Sequence, residues 1–129
     1  MGNSELTSCI RTEALQLGFD AVGFALAQPL PGVQFREWLD RGYHGEMAYM
    51  ASNVERRLDP SQVLPGARSV ISVALLYRHP HVAPETPPDR FDRGRISCYA
   101  QGTDYHLVLQ NKLEELLSFI QRLSPEAQT

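Results

Sequence analysis

Two continuous apolar runs, residues 21–27 and residues 69–77, constrain this chain more than any other feature. Each is short and bounded by turn residues, and the second is rich in β-branched side chains, so both read as strands. Neither alternates with polar residues, which predicts a sheet covered on both faces. Helical patterns surround them. Residues 4–17 place Leu6, Ile10, Ala14 and Leu17 at helical spacing, with Ser4 as the expected cap and Gly18 as the stop. Pro31 is placed to open a second helix with Phe35, Trp38 and Leu39 as its stripe and Gly42 as its end. Met47, Met50 and Ala51 suggest a short helix, residues 54–60 a charged connector, Asp59-Pro-Ser61 a helical turn and residues 64–67 a tight turn. Residues 104–122 predict the longest helix. Its apolar face is Leu109, Leu113, Leu116, Leu117 and Ile120, and full burial of those five would contribute about 10 kcal/mol before entropy. At 129 residues this mixture predicts one α+β domain.

Several function classes are excluded early. No apolar run reaches membrane-spanning length and the N-terminus lacks a basic-then-apolar leader, so a cytoplasmic location without membrane association is expected. Two cysteines, Cys9 and Cys98, are too few for a disulfide framework or for four thiolate ligands to an iron–sulfur cluster. The Gly-rich nucleotide fingerprints, HExxH and GxSxG are absent. Net charge is −3, yet Arg56, Arg57, Arg68, Arg78, Arg90, Arg93 and Arg95 crowd the middle of the chain. That basic stretch suits a phosphate-bearing ligand, RNA or plain solvated surface. Pro80, Pro84, Pro87 and Pro88 make residues 78–93 a long loop. His79 and His81 within it are metal ligands or solvated polar surface, and His44 reads as a surface turn residue.

Unusual chemistry concentrates in residues 94–106, read as a short strand, a glycine turn and a helix start. Arg95, Ser97, Cys98, Asp104, Tyr105 and His106 bring six functional groups close together in sequence. A strand end followed by a helix N-terminus suits a polar or anionic ligand. The plainer reading makes Thr103 or Asp104 a cap, Tyr105 an amphipathic anchor and His106 first-turn surface.

Five motifs then occur in order: Leu17-Gly-Phe-Asp-Ala-Val-Gly23, Trp38-Leu-Asp-Arg-Gly-Tyr-His-Gly-Glu-Met47, Arg57-Leu-Asp-Pro60, Leu64-Pro-Gly-Ala-Arg-Ser-Val-Ile-Ser-Val73 and Tyr99-Ala-Gln-Gly-Thr-Asp-Tyr-His106. The series resembles the N-terminal part of epoxyqueuosine reductase, over essentially the whole chain. The resemblance implies reduction of epoxyqueuosine to queuosine in a tRNA anticodon loop, with cobalamin and two [4Fe–4S] clusters. It implies a partial nitroreductase-like sandwich, a central sheet with flanking helices, incomplete within residues 1–129; the polar tail at 124–129 is expected to be frayed. Arg57 matches an arginine that looks like a cobalamin contact, against an ordinary ion pair with Glu55 or Asp59. Ser97 matches a position close to the corrin, against an ordinary strand residue. Cys98 stands where the family usually has arginine; it is an exposed cobalt-binding thiol or a buried inert one. Asp104, Tyr105 and His106 match the helix start and are expected to shape the pocket wall rather than do chemistry. The resemblance places no catalytic residue here: the proposed proton donor and the cluster ligands lie beyond Thr129. A non-catalytic interaction domain that keeps the fold is the alternative. A sheet lacking further strands would also leave an open edge and favour self-association.

Overall fold

The computed structural model describes residues 2–77, 97–100 and 102–127. The chain runs α1 (Asn3–Gln16), β1 (Ala21–Leu26), α2 (Val33–Asp40), α3 (Ala48–Ala51), α4 (Val54–Leu58), a 3-10 turn (Pro60–Gln62), β2 (Ser69–Ala74), a second 3-10 turn (Cys98–Ala100) and α5 (Tyr105–Leu123). The fold is α+β. β1 pairs with β2 in a two-stranded sheet. Asp20 N–H donates to Ala74 C=O at 2.9 Å and Ala27 N–H to Arg68 C=O at 3.0 Å, which makes the pair antiparallel. The proline-rich loop of residues 78–93, with His79 and His81, and the strand start at 94–96 lie outside the described residues.

The chain divides into two units. One comprises Met1–Val22 and Val73–Ala127, the other centres on Gly23–Ser72. In the first, α1 packs on α5, and Ile10, Ala14, Phe19 and Leu116 form its buried core. Glu5 Oε2 accepts the N–H of Gly2 at 2.8 Å, so Gly2 rather than Ser4 caps α1. Gly18 ends it at φ +85°, the left-handed conformation glycine adopts without a Cβ penalty. Lys112 reaches from α5 to donate to the Leu17 carbonyl, one of the acceptors α1 leaves unpaired at its end. The same ammonium lies 5.9 Å from the Phe19 ring centroid. One lysine therefore ties the end of one helix to the flank of another.

In the second unit Leu58 is the buried residue. Its carbonyl accepts the Leu30 N–H at 2.7 Å. α2 starts at Val33 after Gly32, so Pro31 precedes the cap instead of filling the first turn. Residues 54–58 are helical, not a connector. Asp59 Oδ1 accepts the Ser61 N–H at 2.9 Å and caps the following 3-10 turn, as its sequence predicts. Ala67 N–H bonds Leu64 C=O at 3.1 Å around Pro65-Gly66, with Gly66 at φ +82°. Proline then positive-φ glycine is the signature of a type II turn.

Two packing expectations fail. The strands are not buried on both faces: Val22 and Phe24 of β1 are half-buried while Leu26 is 73% exposed, and Leu76 just beyond β2 is 67% exposed. An apolar run records what a strand tolerates; the cover has to come from other elements, and a two-stranded sheet has one unpaired edge on each strand. The α5 face is also thinner than expected. Leu116 alone of the five is buried and Leu113 is 44% exposed, so the full-burial contribution is not reached.

Candidate functional site

Arg57 sits in the second unit, in the last turn of α4. The helix is entered through Asn53 at φ 55°, a left-handed conformation that asparagine tolerates better than most residues. Arg57 Nη2 donates to the Tyr49 carbonyl at 2.8 Å, and its guanidinium lies 5.9 Å from the Tyr49 ring centroid. This seat holds one end of the fork and leaves the side chain exposed. The ion-pair alternative is not seen with Glu55, which instead pairs with Arg36 at 2.8 Å. Tyr49 gave no signal in the sequence, because an eight-residue separation across two short helices follows no periodicity.

Ser97, Cys98, Asp104, Tyr105 and His106 sit in the first unit. Ser97 is exposed, and its carbonyl accepts the Ala100 N–H at 3.0 Å, closing the 3-10 turn Cys98–Ala100. Where the sequence suggested a strand, the chain is already coiled into this turn. Cys98 opens it; its side chain is outside the described residues.

Asp104 is the cap of α5, as the plainer of the two readings held, and Thr103 is not. Its Oδ1 accepts the His106 backbone N–H at 2.9 Å and meets His106 Nδ1 at 2.8 Å. The His106 N–H, and after it the His106 ring, hold the Asp104 carboxyl below its ordinary value of 3.8. The Ser61 side chain and N–H act likewise on Asp59. A depressed carboxyl stabilises the fold above its unfolded pKa, and that contribution is lost as pH falls through the lower folded value. Acidification below about pH 4 is therefore expected to release the start of α5. The His106 amide proton shift, followed by NMR, should move with Asp104 protonation, and Asp104→Asn should remove that step. An amide shift flat through the acid range would contradict the cap's role.

His44 departs from its expected surface position. It is half-buried, its ring centroid lies 6.0 Å from that of Trp38, and among the described residues its Nδ1 is buried without a hydrogen-bond partner. Also missed was an aromatic row. Tyr77 meets Tyr99 at 6.1 Å, Tyr99 meets Tyr105 at 5.9 Å, and Tyr105 stacks on His106 at 4.0 Å. Tyr77 was assigned to a strand and Tyr99 to a motif, and nothing in their spacing joins them. Among the described residues no three of His, Cys, Asp and Glu converge as a metal site, and no helix is long and apolar enough to cross a membrane.

Comparison with known proteins gives a consistent result. The family described as epoxyqueuosine reductase QueG, DUF1730, matches residues 57–129. An epoxyqueuosine reductase of Leadbetterella byssophila is 43% identical over 115 residues, covering 88% of this chain and 36% of the relative. The epoxyqueuosine reductase of Escherichia coli is 38% identical over 122 residues, covering 92% of this chain and 32% of the relative. The solved epoxyqueuosine reductase of Streptococcus thermophilus superimposes with a TM-score of 0.77 at 31% identity, over 93% of this chain and 32% of that one. The chain thus spans about a third of the length of the proteins it matches. With a family match from Arg57 onward and the same fold in a solved relative, the chain belongs to the epoxyqueuosine reductase family.

Proposed function

We propose that residues 1–129 form the N-terminal part of the cobalamin-binding domain of an enzyme that reduces epoxyqueuosine to queuosine in a tRNA anticodon loop, in the cytoplasm. The family match over residues 57–129 carries this reading. The iron–sulfur clusters and the proton donor are assigned to parts of the enzyme outside this chain. The residues present suit a corrin, a broad and largely apolar disc rimmed by amides and carrying a phosphate. Such a ligand calls for scattered donors and a cation beside flat apolar surface. Arg57 supplies a cation whose guanidinium is already held by the Tyr49 carbonyl. Ser97 supplies an exposed hydroxyl.

Cobalamin, when bound, would supply the two-electron cobalt chemistry. Arg57 donates to an anionic or amide oxygen of the ligand and orients it. Little rotamer freedom is lost on binding, because the Tyr49 carbonyl has already ordered the guanidinium. Ser97 donates or accepts one hydrogen bond, and Asp104 and His106 keep the start of α5 in shape. No proton transfer is assigned to either.

Absorbance titration with cobalamin tests the assignment. Arg57→Ala removes a charge-assisted hydrogen bond of about 1.5–3 kcal/mol, which corresponds to roughly 10- to 150-fold weaker binding. Arg57→Lys keeps the charge without the fork and should fall between. Binding of equal strength by the parent and the alanine variant would remove Arg57 from the site.

A further inference from the structure

Tyr77, Tyr99 and Tyr105 belong to three separate segments, yet they form one row of rings. Tyr77 follows Leu76, whose N–H donates to Asp20 Oδ2 at 2.7 Å and so fixes the chain just beyond β2. Tyr99 rides the 3-10 turn closed by Ser97 and Ala100. Tyr105 opens α5 directly after its cap. Two successive contacts are edge-to-face, at interplanar angles of 80° and 81°. The row ends where Tyr105 stacks on His106, whose ring is held by Asp104.

Edge-to-face packing orders rings without covering all their faces. Here the three tyrosines remain 61%, 51% and 41% exposed. A core would have buried them, and the cap of α5 needs none of them. Ordered but uncovered rings are what a planar ligand stacks on. Charge narrows the class of ligand. The carboxylate of Asp104 lies at the end of the row. A carboxylate repels phosphate, so the row suits the ring of a base and not the backbone that carries it.

We propose that this row is a stacking platform for one unpaired nucleobase of the RNA substrate. It rests on the reading above that a tRNA loop is what the enzyme acts on, and it adds where on this chain a base would lie. Tyr99, in contact with rings on both sides, is the central element.

The test measures binding of the chain to a short RNA hairpin with a single-stranded loop, and to the same stem as a blunt duplex, by fluorescence anisotropy. Tyr99→Leu removes the ring and keeps apolar bulk; Tyr99→Phe keeps the ring. One stacked base contributes about 1–3 kcal/mol, so Tyr99→Leu should weaken hairpin binding roughly 5- to 150-fold. Tyr99→Phe should bind like the parent, and the duplex should bind weakly and equally to all three. Circular dichroism checks that helix content is unchanged. Should Tyr99→Leu lose structure, Tyr77→Leu at the end of the row provides the same comparison. Hairpin binding that ignores the ring, or a parent that prefers the duplex, overturns the platform. Cobalamin titration of the same samples separates the two ideas. Retained cobalamin binding with ring-independent RNA binding rejects the platform alone. Ring-dependent RNA binding without cobalamin binding rejects the cofactor reading alone.

Discussion

Replacing Phe19 by alanine is expected to lower the unfolding free energy by about 3–5 kcal/mol, the largest loss of any single change considered. Phe19 is 3% exposed and follows the Gly18 turn that ends α1. Its N–H bonds the Ala14 carbonyl at 3.1 Å, so backbone and ring are both committed. The ring fills the core shared by α1 and α5 and lies beneath the Lys112 ammonium. Alanine opens a cavity and takes away the surface that the lysine covers. Small domains are stable by about 5–15 kcal/mol, so this single cavity consumes a large share of the total. Phe19→Leu keeps most of the volume and should cost less than about 1.5 kcal/mol. Urea denaturation of both variants checks the difference. A Phe19→Ala protein with an unchanged midpoint would mean that the α1–α5 core is not where the stability lies.

Gly32→Ala is the second large effect, and it acts on the other unit. Gly32 caps α2 at φ +65°, and a Cβ there would lie 2.4 Å from Leu58 Cδ1 and 2.9 Å from Cδ2. Leaving the left-handed region to glycine avoids about 1–2 kcal/mol of backbone strain. Displacing a buried leucine adds about 1–3 kcal/mol. Leu58 is covalently next to Arg57, so the same change should disturb the cation's seat. Urea denaturation should show about 2–5 kcal/mol lost, and cobalamin affinity should fall along with it. If the leucine simply turns aside, only the backbone strain of about 1–2 kcal/mol will be lost, cobalamin affinity will match the parent, and the close approach will have been of no consequence.

These residues also show what the sequence could and could not disclose. Patterns local in the chain were readable. The helix around Ile10 and Ala14, the positive-φ stop at Gly18, the Asp59 cap, the Pro65-Gly66 turn and the long helix after Asp104 all follow from side-chain chemistry within a few residues. Pairings across the chain were not. Gly32 stands beside Pro31 with no local signal of its own, yet its lack of a side chain is required by Leu58, far along the sequence. Lys112 lies off the apolar stripe of α5, yet it closes the end of α1. The strands were expected to be covered because they are apolar, but periodicity cannot say what supplies the cover. Of the candidate site, the residue names came from motif order, and Asp104 as a cap came from its position. Arg57 on Tyr49 and the tyrosine row arise only when separate segments meet.

On the function proposed above, this chain supplies part of the cobalamin cradle of an epoxyqueuosine reductase. The most direct measurement places it in the matching segment of the Escherichia coli enzyme, to which it is 38% identical over 122 residues. Conversion of epoxyqueuosine to queuosine in tRNA is then read by mass spectrometry. The chimaera should retain cobalamin and convert its substrate, and Arg57→Ala in it should lower cofactor retention and conversion together. A folded chimaera that converts substrate equally well with alanine at position 57, or that retains no cobalamin, would contradict it.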